Sequence, residues 1–125
     1  MSFVEAVRGA TSVEEDSALA IDGAVAELCR SLLAENRLTA ADVVSAVFTA
    51  TEDLRARFPA TAAREAGWGG VPMLCAQELA VPGAPPRILR LLVHVRLKRR
   101  RRLRPVYLGR AAQLRPDLVS PGATK

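Results

Sequence analysis

One arginine in the stretch RILRLLVHVRLKRRRRLRPVY, residues 87–107, stands apart from the rest. Arg90 sits among aliphatic residues, whereas Lys98, Arg99, Arg100, Arg101, Arg102 and Arg104 crowd together downstream. A guanidinium in apolar surroundings is costly unless an anion or several acceptors meet it. Two chemistries satisfy that condition. One is a structural ion pair, for example with Glu78. The other is a site for an anion or a developing oxyanion. Cys75 lies three residues before Glu78, and in a regular strand such positions face opposite sides. If both line one pocket, the strand must bulge or end between them. Cys75 has no His–Cys–Asn arrangement that would make it a nucleophile. His94, the single histidine, shares a strand face with Arg90 and reads as a packed or interface residue. Without a Cys/His cluster there is no dedicated zinc site.

The basic run admits three readings: a solvated loop, a nucleic-acid or anionic-membrane contact, and a source of potential that steers an anionic substrate. It supplies six positive charges, and the total of +5 less those six leaves −1 for the rest. The basicity is therefore local, which counts against the broad basic face of a nucleic-acid binder. Nor do aromatics interleave the run to stack on bases.

A chain of 125 residues fits one domain, residues 1–125. Half of it is apolar and only 4% aromatic, so the core must be built from Ala, Val and Leu. That apolar share is high for so small a chain, which favours burial between subunits. Cys29 and Cys75 make no disulfide framework, and Cys29 reads as a buried small hydrophobe. No segment reaches the roughly 20 apolar residues that span a bilayer. With no secretory signal at the start, the chain reads as soluble and cytoplasmic.

These residues must be carried by a few elements. Phe3 to Arg8 reads as a first strand, ended by Gly9. Asp16 or Ser17 caps a helix running to about Asn36, with Glu14, Glu15 and Asp16 near its positive end. Ile21, Val25, Leu28 and Leu32 make its apolar stripe. Thr39 and Asp42 resemble a capping box. Val43 to Thr51 is a second strand, with Val44, Ala46, Phe48 and Ala50 on one face and Val43, Ser45, Val47 and Thr49 on the other. Thr51-Glu52-Asp53 could start a helical turn. Pro59 suits the first position of a helix that ends at Gly67, and Gly69-Gly70 is a turn. Val71 to Leu79 is a third strand, 82–86 a loop, and Arg87 to Leu97 the fourth and longest strand. Its odd positions from Leu89 to Leu97 are all apolar and must pack on the helices. Arg90 points the other way with Ile88, Leu92, His94 and Arg96. The order predicts an α+β or α/β domain with a mixed sheet and helices on one face. The Pro- and Gly-rich tail from about 115 should be mobile or docked late.

VRGAT at 7–11, ATEDLRARFPATAAR at 50–64, VPMLCAQEL at 71–79, PRILRLL at 86–92 and VYLGRAAQLRPDL at 106–118 occur in that order. Together they resemble the monofunctional bacterial chorismate mutases of the trimeric pseudo-α/β-barrel type. The resemblance spans nearly the whole chain except 97–105 and the last few residues. It implies a homotrimer with three active sites at subunit interfaces, and conversion of chorismate to prephenate toward phenylalanine and tyrosine, without a cofactor. It implies that Arg8 and Tyr107 bind substrate carboxylates and that Arg90 faces the ether oxygen and a carboxylate. Glu78 and Cys75 would contact the substrate hydroxyl. Phe58, Ala60, Arg64, Met73 and Leu74 would line the pocket, and Leu114 and Arg115 would belong to a tail that closes over it. Thr61 stands where a lysine can follow FPA, Leu74 replaces a polar residue of some members, and the polar turn before VYL is here the basic run. The competing readings are a small basic nucleic-acid-binding module and a non-mutase member of the similar trimeric fold, such as an imine deaminase.

Overall fold

Residues 2–116 are described by the computed structural model. Five strands form one sheet: β1 (Phe3–Ser12), β2 (Val43–Ala50), β3 (Met73–Gln77), β4 (Ile88–Leu97) and β5 (Val106–Tyr107). Their order across the sheet is β3-β2-β4-β1-β5. β4 runs antiparallel to both β1 and β2, whereas β3 and β5 pair in parallel with β2 and β1. Two helices accompany the sheet, α1 (Ala18–Glu35) and α2 (Pro59–Ala63), the latter running on into a wider turn, Arg64–Trp68. The mixed sheet and the helices agree with the α+β expectation.

The period-two alternation of β4 decides which side is core. Leu89, Leu91, Val93, Val95 and Leu97 are all buried, together with Ile21, Val25, Leu28 and Leu32 of α1. On the second face Arg90, Leu92 and Arg96 are exposed. Ser17 caps α1, its Oγ accepting the Ala20 N–H at 3.1 Å. Asp16 does not sit in the first turn. Its carboxylate accepts the N–H groups of Arg55 (2.8 Å) and Ala56 (2.9 Å), which straps the 51–58 loop to the helix start.

Four elements differ from expectation, β3 among them, which spans only Met73–Gln77 of the 71–79 expected. β1 does not stop at Gly9 but passes through it to Ser12. Glycine is needed there for space: a Cβ would lie 3.1 Å from Leu28 Cδ1 and 3.2 Å from the Val106 carbonyl oxygen. β2 carries a register shift between Val43 and Ser45, which makes Val44 the extra residue. Val43 therefore joins Ala46 and Phe48 in the core and Val44 is exposed, inverting the expected faces at that end. Residues 51–53 form a tight turn rather than helix, because Thr51 and Asp53 are committed to the start of β4. Asp53 accepts the Arg87 N–H (3.1 Å), and Thr51 Oγ1 accepts the Ile88 N–H (3.1 Å). Burial pushes the Asp53 carboxyl up, but hydrogen bonds from Thr51 and Arg87 outweigh it and hold the group below its ordinary value.

α1 ends in a Schellman arrangement. Leu38 N–H reaches the Leu33 carbonyl (2.9 Å), and Arg37 takes the left-handed conformation (φ 51°) at the position glycine usually fills. The C-cap residue, Asn36, is buried and reaches across the fold. Its Nδ2 donates to the carbonyls of Leu32 (2.9 Å) and Arg104 (3.0 Å), and its Oδ1 accepts the Arg104 N–H (2.6 Å). Asn36→Ala strands those buried groups and should cost about 2–3 kcal/mol. Arg104→Ala, which keeps the same main chain, should cost under about 0.5 kcal/mol. Urea midpoints at one fixed protein concentration distinguish the two.

Candidate active site

The second face of the sheet gathers the polar residues that a compact core would exclude. Cross-strand register places Arg8 opposite Leu92, Ala10 opposite both Arg90 and Tyr107, and Thr49 opposite Arg90. Directly paired residues share a face. Arg8, Arg90, Tyr107, Glu78 and Arg115 thus line one cavity of about 410 Å³, with Val47, Thr49 and Leu92 among its walls. Tyr107 is buried; it packs with Ala10, Ile88 and Ala111, and Leu114 lies against the same cluster.

Glu78 follows the last residue of β3, and its N–H is held by the Ala50 carbonyl (2.9 Å). Its Oε2 meets Arg90 Nε at 3.1 Å and accepts a short hydrogen bond from the Thr49 hydroxyl. The two readings of Arg90 therefore hold together: it is ion-paired, and it lines an open cavity. In a single chain its side chain is 45% exposed, so it is not the enclosed guanidinium that its aliphatic neighbours suggest. Arg8 forms no ion pair among the described residues.

Cys75 goes elsewhere. β3 ends at Gln77, between Cys75 and Glu78, yet the two still line different cavities. Cys75 pairs with Phe48 on the helix side of the sheet. Its Sγ lies 3.4 Å from the Ala60 N–H, at a second cavity of about 450 Å³. Phe58, Arg55 and Arg57 line that cavity too. Arg57 is held there by ion pairs with Asp22 and Glu65, and its hydrogen bond to the Glu65 carboxylate outweighs desolvation and raises its pKa. Of the remaining candidates, Ala60 is buried in α2, and Arg64 is exposed with its guanidinium on Thr61 Oγ1 (3.2 Å). Met73 packs against the core, whereas Leu74 lies on the second face, 70% exposed. One chain thus brings Arg8, Glu78, Arg90, Tyr107 and Arg115 together and holds Phe58, Ala60 and Cys75 apart from them.

Thr49, Val47 and Leu92 belong to the first cavity and were not candidates from the sequence. Strand alternation already set Val47 and Thr49 on one face of β2. What sequence lacks is the pairing of β2 with β4 that lays this face beside Arg90. Cys29 plays no part in either cavity: burial pushes its thiol up to about 12, which keeps it protonated.

The basic run lies at the other end of the β1/β4 ladder, after Leu97, which pairs with Phe3. Arg100 stacks over the Phe3 ring (5.0 Å) and lies 4.0 Å from Glu5. Along β4, Arg90 and Leu97 are roughly 23 Å apart, beyond the Debye length of about 8 Å at physiological salt. Within one chain the run is therefore largely screened from the cavity. The tail expected to close over the site runs beyond the described residues after Pro116. Among those described, no helix is long and apolar enough to cross a membrane.

The comparisons with known proteins agree with one another. The family description "Chorismate mutase type I" matches residues 4–118. The chain is 45% identical over 120 residues to chorismate mutase AroH of Thermus thermophilus, covering 94% of this chain and 98% of the relative. It is 38% identical over 118 residues to chorismate mutase AroH of Bacillus subtilis (strain 168), covering 93% of each. A solved chorismate mutase from Clostridium thermocellum superposes with a TM-score of 0.83 at 35% identity, over 87% of this chain and 98% of that one.

Proposed function

The chain belongs to the type I chorismate mutase family, and from that premise we propose how its residues carry out the reaction. It is an isomerase, a chorismate mutase that converts chorismate to prephenate on the way to aromatic amino acids. The observation that carries the mechanism is the cavity of Arg8, Arg90, Tyr107 and Glu78 on the second face of the sheet.

The rearrangement is unimolecular and needs no proton transfer, so the protein has two tasks. It must hold a flexible dianion in the compact conformer that brings the side-chain carbon over the ring. Arg8 and Tyr107 clamp the carboxylates, while Val47 and Leu92 supply apolar wall. It must also meet the negative charge that grows on the ether oxygen as the C–O bond breaks ahead of C–C bond formation. Arg90 does so; its Glu78 partner holds it in place, so little reorganisation is needed at the moment of reaction. Glu78 accepts the substrate hydroxyl and orients it, and does not act as a base.

The working unit is a homotrimer, each 125-residue chain serving as one domain and each site being shared between neighbours. Three features support this. The second face leaves Leu74 and Leu92 exposed. β3 is an edge strand whose outer side has no partner among the described residues. The candidate residues also fall into two separate half-sites, one around Arg90 and one around Cys75 and Phe58. We read the enzyme as cytoplasmic, a compartment that suits its two free cysteines. Loss of chorismate absorbance with purified protein tests the activity. No loss, with retention of RNA or DNA instead, would favour the binding-module reading.

A further inference from the structure

We propose that Thr49 is a positioning residue for the rearrangement: with Arg90 it occupies Oε2 of Glu78, leaving Oε1 to accept the substrate hydroxyl. This rests on the reading that Glu78 meets that hydroxyl. The same oxygen accepts the hydrogen bond of the Thr49 hydroxyl and lies 3.1 Å from Arg90 Nε in an ion pair. No partner of Oε1 is found among the described residues. The side chain is 23% exposed, so Oε1 can meet solvent until the substrate hydroxyl displaces it. Glu78 borders the cavity that holds Arg8 and Tyr107.

The parts that set this geometry are stiff. Thr49 sits on an interior strand paired on both sides, directly across from Arg90. Its β-branched side chain has little χ1 freedom, so its hydroxyl points in a fixed direction. Glu78, by contrast, lies beyond the end of β3, where its main chain is tied to Ala50 but its side chain has no strand neighbours on its outer side among the described residues. A glutamate there has several rotamers to lose on binding. Arg90 alone would not select one, because its guanidinium must also serve the ether oxygen. A second, neutral donor fixes the carboxylate without adding charge to the site. Valine fills the same volume and keeps the strand preference, but it cannot donate.

The test is steady-state kinetics on chorismate and on a chorismate analogue that lacks the ring hydroxyl. With chorismate, Thr49→Val should lower kcat/KM about tenfold or more, and Thr49→Ser should recover most of the loss. With the analogue, Thr49→Val and the parent enzyme should agree within about twofold, because the group that Glu78 orients is gone. In a Glu78→Gln background, Thr49→Val should add little further loss. An equal fall on both substrates, or full additivity with Glu78→Gln, would make Thr49 merely structural and overturn the proposal. So would an unchanged kcat/KM in Thr49→Val alongside an impaired Glu78→Gln. If Glu78→Gln itself turns over like the parent, the underlying role of Glu78 fails instead. Should Thr49→Val melt early, Thr49→Ala makes the same comparison without the added methyl.

Discussion

Arg90→Ala should lose at least about 3–4 kcal/mol of transition-state stabilisation, a fall of roughly a hundredfold to a thousandfold in kcat. That range is what a single neutral oxyanion donor supplies elsewhere, and here a full charge is removed. The loss should appear in kcat more than in KM, since the ether oxygen carries its charge chiefly in the transition state. The change also strands Glu78, whose Oε2 loses its cation at 3.1 Å. Arg90→Lys should rescue poorly. An ammonium on a flexible stem cannot serve Glu78 and the ether oxygen together in the fixed geometry of a planar fork. Chorismate depletion by the purified variant is the measurement, and turnover near that of the parent would refute the role.

Two inactive variants should restore activity when combined. Arg90→Ala damages the half-site on the second face of the sheet. Phe58→Asp damages the other half, putting a carboxylate where a dianionic substrate must lie. Phe58 is 72% exposed in one chain, so the change leaves the core intact. If each site takes one half from each of two neighbours, random mixing gives roughly a quarter of sites with both halves intact. Co-expressed chains should therefore show about that share of the parental rate. Recovery no greater than the sum of the separate variants would mean that each site lies within one chain, and the trimeric reading would fall with it.

How much of this the sequence reveals depends on whether a signal is periodic. The β4 alternation and the α1 stripe repeat over many residues, so both faces were legible, and with them the side on which Arg90 emerges. The pairing of Arg90 with Glu78 was legible as the nearest acid on the preceding strand. Single-residue signals did worse. Gly9 reads as a strand end by type, yet it serves close approach to Leu28 within a continuing strand. The extra residue at Val44 leaves no mark on the alternation before it and so inverts one end of β2. β5 is two residues long, too short to have a period, and its existence depends on pairing with Gly9 and Ala10. Thr49 was assigned the correct face, but its contact with Glu78 needs two strand registers at once. Resemblance named Cys75 and Arg90 as parts of one site. It did not show that a single chain keeps them in different cavities.

Asn36 grips Arg104 only by its main-chain N–H and carbonyl. The clamp is blind to what the neighbouring side chains are. Apart from Arg100 on the Phe3 ring, the side chains of 98–102 are thus not what returns the chain to β5. The charge of this stretch can be altered without unmaking the junction that anchors it.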